Sequence, residues 1–300
     1  VSIFDELSAA TSDADSGWPD LTVRFSDIPA IPATYLWRGV IPNRTVTVVA
    51  GPGGTGKGIA VAAIEALVTT GAPFPGETEE REPGQVIKIA PEDDANEDTA
   101  FRLIAAGANL ELVRNLTVLP SGALFRLPDN IGDLDQAVTE INDEGGPPVR
   151  LITVDPLLAT CTARILRSDP RTVIEPLQNL AAETGTAVLA SHHTTKNPEV
   201  IAGGQALIDA SRLVWLIRRA KDDEHARTMT VYKTNRRAHP QLRFRIEGDD
   251  EEARAVFVTS ESKTPGSRAA KLRLVKTPEE TAVAAQQWLD EHKESEEKAS

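Results

Sequence analysis

Val46-Thr47-Val48-Val49-Ala50-Gly51-Pro52-Gly53-Gly54-Thr55-Gly56-Lys57 is the stretch that decides how this chain is read. A β-branched run bounded by glycines has the composition of a buried strand. The alanine-rich segment from Ile59 to Leu67 has that of a helix packed closely on it. Between them, Gly51 to Lys57 has the pattern of a phosphate-binding loop. Its glycines let successive backbone N–H groups turn toward phosphate oxygens, the helix N-terminus adds positive potential, and Lys57 reaches the outer phosphates. The nucleotide-contacting set is therefore Gly51, Pro52, Gly53, Gly54, Thr55, Gly56, Lys57, Gly58 and Ile59. Gly58 stands where a Ser or Thr normally lends its hydroxyl to Mg²⁺. ATP binding is expected to survive that change, whereas the metal must be held by water or by another side chain.

Downstream, strands end in polar residues at the positions where open α/β sheets bind ligands. Gln85 to Ala90 reads as a strand leading into Pro91-Glu92-Asp93-Asp94. Glu92 there is placed to orient and deprotonate a water attacking a γ-phosphate. Asp94 and Asn96 read as caps of a helix from Asp98 to Ala106. Val149 to Val154 is an apolar strand that ends at Asp155, the expected carboxylate of a Mg²⁺ shell, acting through water. Ala187 to Ala190 ends at Ser191-His192-His193-Thr194-Thr195-Lys196. Successive strand side chains point to opposite faces, so the two histidines cannot readily share one metal ion. One of them is expected to face the γ-phosphate as a sensor and the other to be buried.

The remaining elements complete an alternating pattern. Leu116 to Leu119 reads as a short strand, and Leu134 to Ile141 and Val173 to Glu183 read as helices. Leu213 to Ile217, Thr228 to Lys233, Leu242 to Ile246 and Ala255 to Val258 read as consecutive strands, with Lys221 to Glu224 as a hairpin turn. The fold class is α/β, a mainly parallel core flanked by helices and extended by antiparallel strands. Residues 1–27 are polar and turn-rich and read as disordered, 28–260 as the folded domain, 261–276 as a linker, and 277–300 as a helix with an acidic tail. Tyr35 and Trp37 lie in a proline-rich lead-in segment; they either pack on the core or touch a nucleobase, and packing is the simpler reading.

Composition narrows the setting. The chain has 300 residues, 40% of them hydrophobic, a formal net charge of −13 and a single cysteine, Cys161. These residues cannot form an internal disulfide, no apolar run is long enough to span a bilayer, and no membrane partner or targeting segment is expected. A cytoplasmic location fits best. Met229 is the only methionine, so position 1 is a processed end, a fragment boundary or an alternative start. The acidic balance argues against a large basic groove. Positive charge is nonetheless concentrated between Arg212 and Arg245, and the loop from Thr160 to Thr172 carries Arg164, Arg167 and Arg171; these either contact a nucleic-acid backbone or are ordinary solvated residues.

Taken together, Gly51 to Lys57, Pro91 to Asp94, Asp155-Pro156-Leu157, His192 to Lys196, Gly203 to Trp215 and Lys233-Thr234-Asn235 resemble the RecA-like P-loop ATPases of the plasmid-replication helicase RepA type, relatives of the DnaB helicases within the AAA-type ATPases. The resemblance spans roughly residues 30 to 258. It implies a homo-hexameric ring with ATP and Mg²⁺ at subunit interfaces and single-stranded DNA as partner. It also implies that Glu92 is the catalytic glutamate, Asp155 the Mg²⁺-organising aspartate, His193 the γ-phosphate sensor and Arg212 an arginine finger reaching a neighbour's nucleotide. Lys233 and Arg236 would assist Arg212 from the same side. Two positions depart from that pattern: Gly58 lacks the hydroxyl, and Ala202 replaces an arginine before the glycine. A helicase or helicase-loader activity in replication or repair is the resulting expectation. The alternative is an oligomeric regulatory or assembly ATPase with little or no turnover.

Overall fold

The computed structural model describes residues 22, 24–162, 171–195, 197, 201, 205–235 and 241–258. The expectations for residues 1–21 and 23, Arg164, Arg167, Lys196, Ala202, Gly203, Arg236, and the linker and helix at the C-terminal end lie outside the described residues. Within the segment expected to be disordered, Phe25–Asp27 instead form a single 3-10 turn, closed by the Ile28 N–H donating to Phe25 O. Among the described residues there are eleven strands: β1 (Tyr35–Trp37), β2 (Ile41–Pro42), β3 (Thr45–Gly51), β4 (Gln85–Ile89), β5 (Val113–Asn115), β6 (Val149–Val154), β7 (Ala187–His193), β8 (Leu213–Arg219), β9 (Ala226–Thr234), β10 (Gln241–Glu247) and β11 (Arg254–Val258). The α-helices are α1 (Lys57–Thr70), α2 (Ala100–Ala106), α3 (Ile131–Asp143), α4 (Arg171–Thr184) and α5 (Gln205–Ala210).

Nine strands form one sheet in the order β11-β10-β9-β8-β3-β7-β6-β4-β5. From β8 to β5 neighbouring strands are parallel, and from β8 to β11 they are antiparallel. This is a RecA-like α/β core, mainly parallel and extended on one side by antiparallel strands. The strand that leads into the glycine loop, β3, sits between β7 and β8, neither of which adjoins it in sequence. The order therefore reverses around β3, the place where such sheets bind ligands.

Every residue of β3 is buried, as its unbroken apolar and threonine run requires. Val46, Val48 and Ala50 belong to a core shared with α3, α4 and α5, whereas Val49 belongs to the opposite core with α1. Helix α1 is buried nearly all round, from Ala60 to Thr69. Its alanines let it lie close to the sheet, and α2 and β11 also pack against it. Trp37 is fully buried, stacked on Phe74 at 5.2 Å and edge-on to Phe257 at 5.1 Å. The packing reading of that aromatic is therefore the correct one. Tyr35 is half-buried beside Arg81 and Arg150, away from the glycine loop.

One expected strand is displaced. β5 is Val113–Asn115, not Leu116 to Leu119. The Leu116 N–H still donates to Lys88 O at 2.9 Å, but Asn115 Oδ1 accepts from the Thr117 N–H at 2.9 Å, and past this local turn Val118 pairs with Leu124 instead of β4. As an edge strand β5 needs no alternating apolar face, so the pattern there was misleading. Among the described residues, no helix is long and apolar enough to cross a membrane.

A buried ion pair lies between α1 and the sheet. Lys88 Nζ, on β4, donates to both carboxylate oxygens of Glu65 at 3.0 and 3.1 Å, and Thr153 Oγ1 donates to one of them at 2.5 Å. Glu65 is wholly buried. Removing one partner strands the other's charge in the core, so Lys88→Met should destabilise the protein by about 3–5 kcal/mol. Lys88→Met combined with Glu65→Leu should recover most of that loss in urea denaturation.

Candidate nucleotide site

The parallel ladder brings four chain segments to the same sheet edge. Gly51 is in register with His193, and Val154 with both Ile89 and Ala190. The Asp155 N–H continues the pattern, donating to Ile89 O at 2.9 Å. The segments after β3, β4, β6 and β7 thus emerge side by side around a cleft of about 340 Å³. Its lining includes Lys57, Gly58, Glu92, Asp155 and His193.

The glycine loop has the backbone its sequence requires. Gly54 and Gly56 have φ of 66° and 81°, in the left-handed region that disfavours side chains. A Cβ on Gly56 would also stand 2.5 Å from Ile246 Cδ1, so β10 lies directly over the loop. Gly54, Gly56, Gly58 and Ile59 line the cleft, whereas Gly51, Pro52, Gly53 and Thr55 contribute the backbone that shapes it. Lys57 Nζ donates to Gly51 O and Pro52 O, both at 3.0 Å, and the side chain is buried. Burial lowers its pKa from the ordinary lysine value, although the nearby Asp155 and Glu92 carboxylates pull it back up.

The two histidines behave as alternation demands. His192 is fully buried, while His193 faces the cleft with its Nε2 4.0 Å from Glu92 Oε2. No group of three or more His, Cys, Asp or Glu side chains suited to a metal occurs among the described residues. Asp94 is the expected cap, its Oδ1 accepting from the N–H groups of Asn96 and Glu97 at 2.7 and 2.9 Å. Those bonds lower its pKa. Asn96 supplies its backbone to this cap, not its side chain, which corrects the expectation that it too would be a cap.

Other expected residues lie elsewhere. Leu213 pairs with Thr47, four residues before Gly51, so Arg212 is exposed about 13 Å or more along the sheet from its own chain's loop. Lys233 is not in the cleft either. Its Nζ donates to the carbonyls of Ile208, Asp209 and Ser211 at 2.8 to 2.9 Å, capping the end of α5. All three of its N–H bonds are directed to those carbonyls, on the same side of the fold as the Arg212 it is expected to assist.

Several contributors were not singled out from sequence. Arg219 Nη2 donates to Gly54 O, and Arg227 Nε to Thr55 O, both at 3.1 Å. In the sequence they are only part of a basic stretch. Arg243 and Arg245 of the same stretch pair with Asp222 and Asp223. Ser191 Oγ donates to Asp155 Oδ1. Arg102, on α2, pairs with Asp93 at 2.5 Å and lines the cleft. An arginine one helix turn or more beyond an acidic strand end carries no distinctive spacing, and the fold alone brings it back.

The loop and its buried lysine suit the phosphates of ATP. A directly held Mg²⁺ fits less well. Gly58 offers no side-chain oxygen, one Asp155 oxygen already receives the Ser191 hydroxyl, and Arg102 stands beside the same corner.

Fold and loop define a P-loop ATPase with a RecA-like core. A family model described as an AAA domain matches residues 14–199, more than half of the chain, and the chain belongs to that family. No curated protein matches it.

Phosphate oxygens placed beside Lys57 should restore its charge, so nucleotide binding takes up a proton wherever the unliganded lysine has begun to lose one. Affinity should therefore fall as pH rises through the lowered pKa of Lys57 toward that of ordinary lysine. Calorimetry in buffers of different ionisation enthalpy would detect the proton uptake, and Lys57→Met should abolish it.

Proposed function

We propose that this chain is an ATP-hydrolysing motor or loader that assembles as a ring and acts on single-stranded DNA in replication or repair. The observation that carries the reading is the convergence of Glu92, Asp155, His193 and Lys57 on one cleft, each from the end of a different parallel strand or its following loop. In this reading Lys57 stabilises the transferring phosphate, Glu92 positions the attacking water, and His193 senses the γ-phosphate beside Glu92. Asp155 orders the water through which a metal ion would be met, supplying charge neutralisation at the phosphates. Arg212, exposed and remote from its own cleft, acts on the nucleotide of a neighbouring subunit.

A second reading has its own support. Gly58 removes a metal-ligating hydroxyl, and Arg219, Arg227, Lys233, Arg243 and Arg245 are engaged within the fold. Both features favour a nucleotide-dependent assembly switch with slow turnover.

Steady-state ATP hydrolysis with and without single-stranded DNA separates the two. The motor reading expects DNA to stimulate turnover, and Glu92→Gln to reduce it by about a hundredfold or more while nucleotide still binds. Tight binding with no turnover, unaffected by DNA, would put the switch reading first. Specific activity should also rise with protein concentration. Arg212→Ala should lower it by about a thousandfold, as loss of an arginine finger does; an unchanged rate would remove that assignment.

A further inference from the structure

The corner left by Gly58 is bounded by two charged groups. A Cβ at that position would lie 3.2 Å from Arg102 Nη1 and 3.3 Å from Asp155 Oδ2. The glycine therefore leaves room for the guanidinium where a larger side chain would press against it. Arg102 is also held in place: Nη1 donates to Asp93 Oδ2 at 2.5 Å and Nη2 to Asp98 Oδ1 at 3.4 Å. Its side chain is only 31% exposed, and it shares the cleft with Gly54, Gly56 and Lys57. A fixed cation thus occupies the corner from which a hydroxyl would otherwise hold a metal ion. A guanidinium is permanently charged and carries several donors in a plane, so it can meet phosphate oxygens directly.

We propose that Arg102 is a phosphate-binding residue that supplies the positive charge normally contributed by hydroxyl-bound Mg²⁺, so that nucleotide binds this chain with little dependence on divalent metal. The proposal rests on the glycine loop being the nucleotide site. It is independent of whether the bound nucleotide is hydrolysed. Gly58 and Arg102 form one device: the missing side chain at 58 admits the guanidinium that replaces its function. Asp93 serves as the positioning residue that aims Arg102 into the cleft.

The test is equilibrium binding of ADP and of a non-hydrolysable ATP analogue, in Mg²⁺ and in EDTA, by calorimetry. The parent chain should lose less than about threefold in affinity when Mg²⁺ is removed. Arg102→Gln should lose about tenfold or more in EDTA and less in Mg²⁺, whereas Arg102→Lys, which keeps the charge, should retain most of the EDTA affinity. Adding Gly58→Ser to Arg102→Gln should create a metal-dependent site, with affinity recovered in Mg²⁺ alone. Circular dichroism of each variant would establish that it is folded. A parent that loses about tenfold or more in EDTA, or an Arg102→Gln variant weakened equally in both buffers, overturns the role of Arg102 while leaving the glycine loop as the nucleotide site. Failure of the parent to bind in either buffer, matched by Lys57→Ala, would overturn the site reading itself and the proposal with it.

Discussion

Strand β3 has no solvent-facing side, and the rest of the structure depends on that constraint. Both of its edges are hydrogen-bonded, to β7 and β8, and both of its faces are covered. The chain leaving Gly51 therefore cannot continue in the sheet plane or cross either core. It must turn at the sheet edge and come back as α1, and the glycines permit that reversal without side-chain collisions. Because the neighbouring strands are parallel, their following loops arrive at the same edge. Hydrogen bonding of the ladder thus brings the cleft's segments together without relying on contacts between its functional side chains.

The loop is also held from the antiparallel side of the sheet. Arg219 at the end of β8 and Arg227 near the start of β9 each donate to a loop carbonyl, and Ile246 of β10 lies against Gly56. The family match ends at residue 199, before these strands begin. The antiparallel extension nevertheless shapes the phosphate site, and does so with arginines that would otherwise count toward a basic surface. This division matters for electrostatics. Part of the positive charge concentrated between Arg212 and Arg245 is hydrogen-bonded to carbonyls or paired with nearby carboxylates within the fold, so the linear charge density overstates the field available to a polyanion.

Charge in the interior follows a consistent logic. Glu65 is tolerated under α1 because Lys88 and Thr153 satisfy its oxygens. Lys57 is tolerated at the loop because two carbonyls receive its N–H bonds and two carboxylates lie nearby. The Asp93–Arg102 pair differs in being partly exposed and facing the cleft, where its arrangement bears on ligand binding.

Local chemistry made much of this legible in advance. The strand-loop-helix unit around Gly51 to Lys57, the polar ends of three further strands and the change from alternating to consecutive strands all follow from residue periodicity and turn composition. Edge strand β5 escaped because an exposed edge imposes no apolar alternation, and the Asx turn at Asn115 is a local hydrogen bond invisible to hydropathy. The placement of Arg102, Arg219, Arg227 and Lys233 escaped for a different reason: each is defined by a partner distant in sequence. Sequence by itself determined the phosphate loop and the carboxylates and histidine that face it, because those features are encoded within short runs. Only the tertiary structure decided which arginines support the loop, which enters the cleft beside Gly58, and that Lys233 is spent on a helix end, because long flexible side chains take their roles from whatever the fold brings within reach.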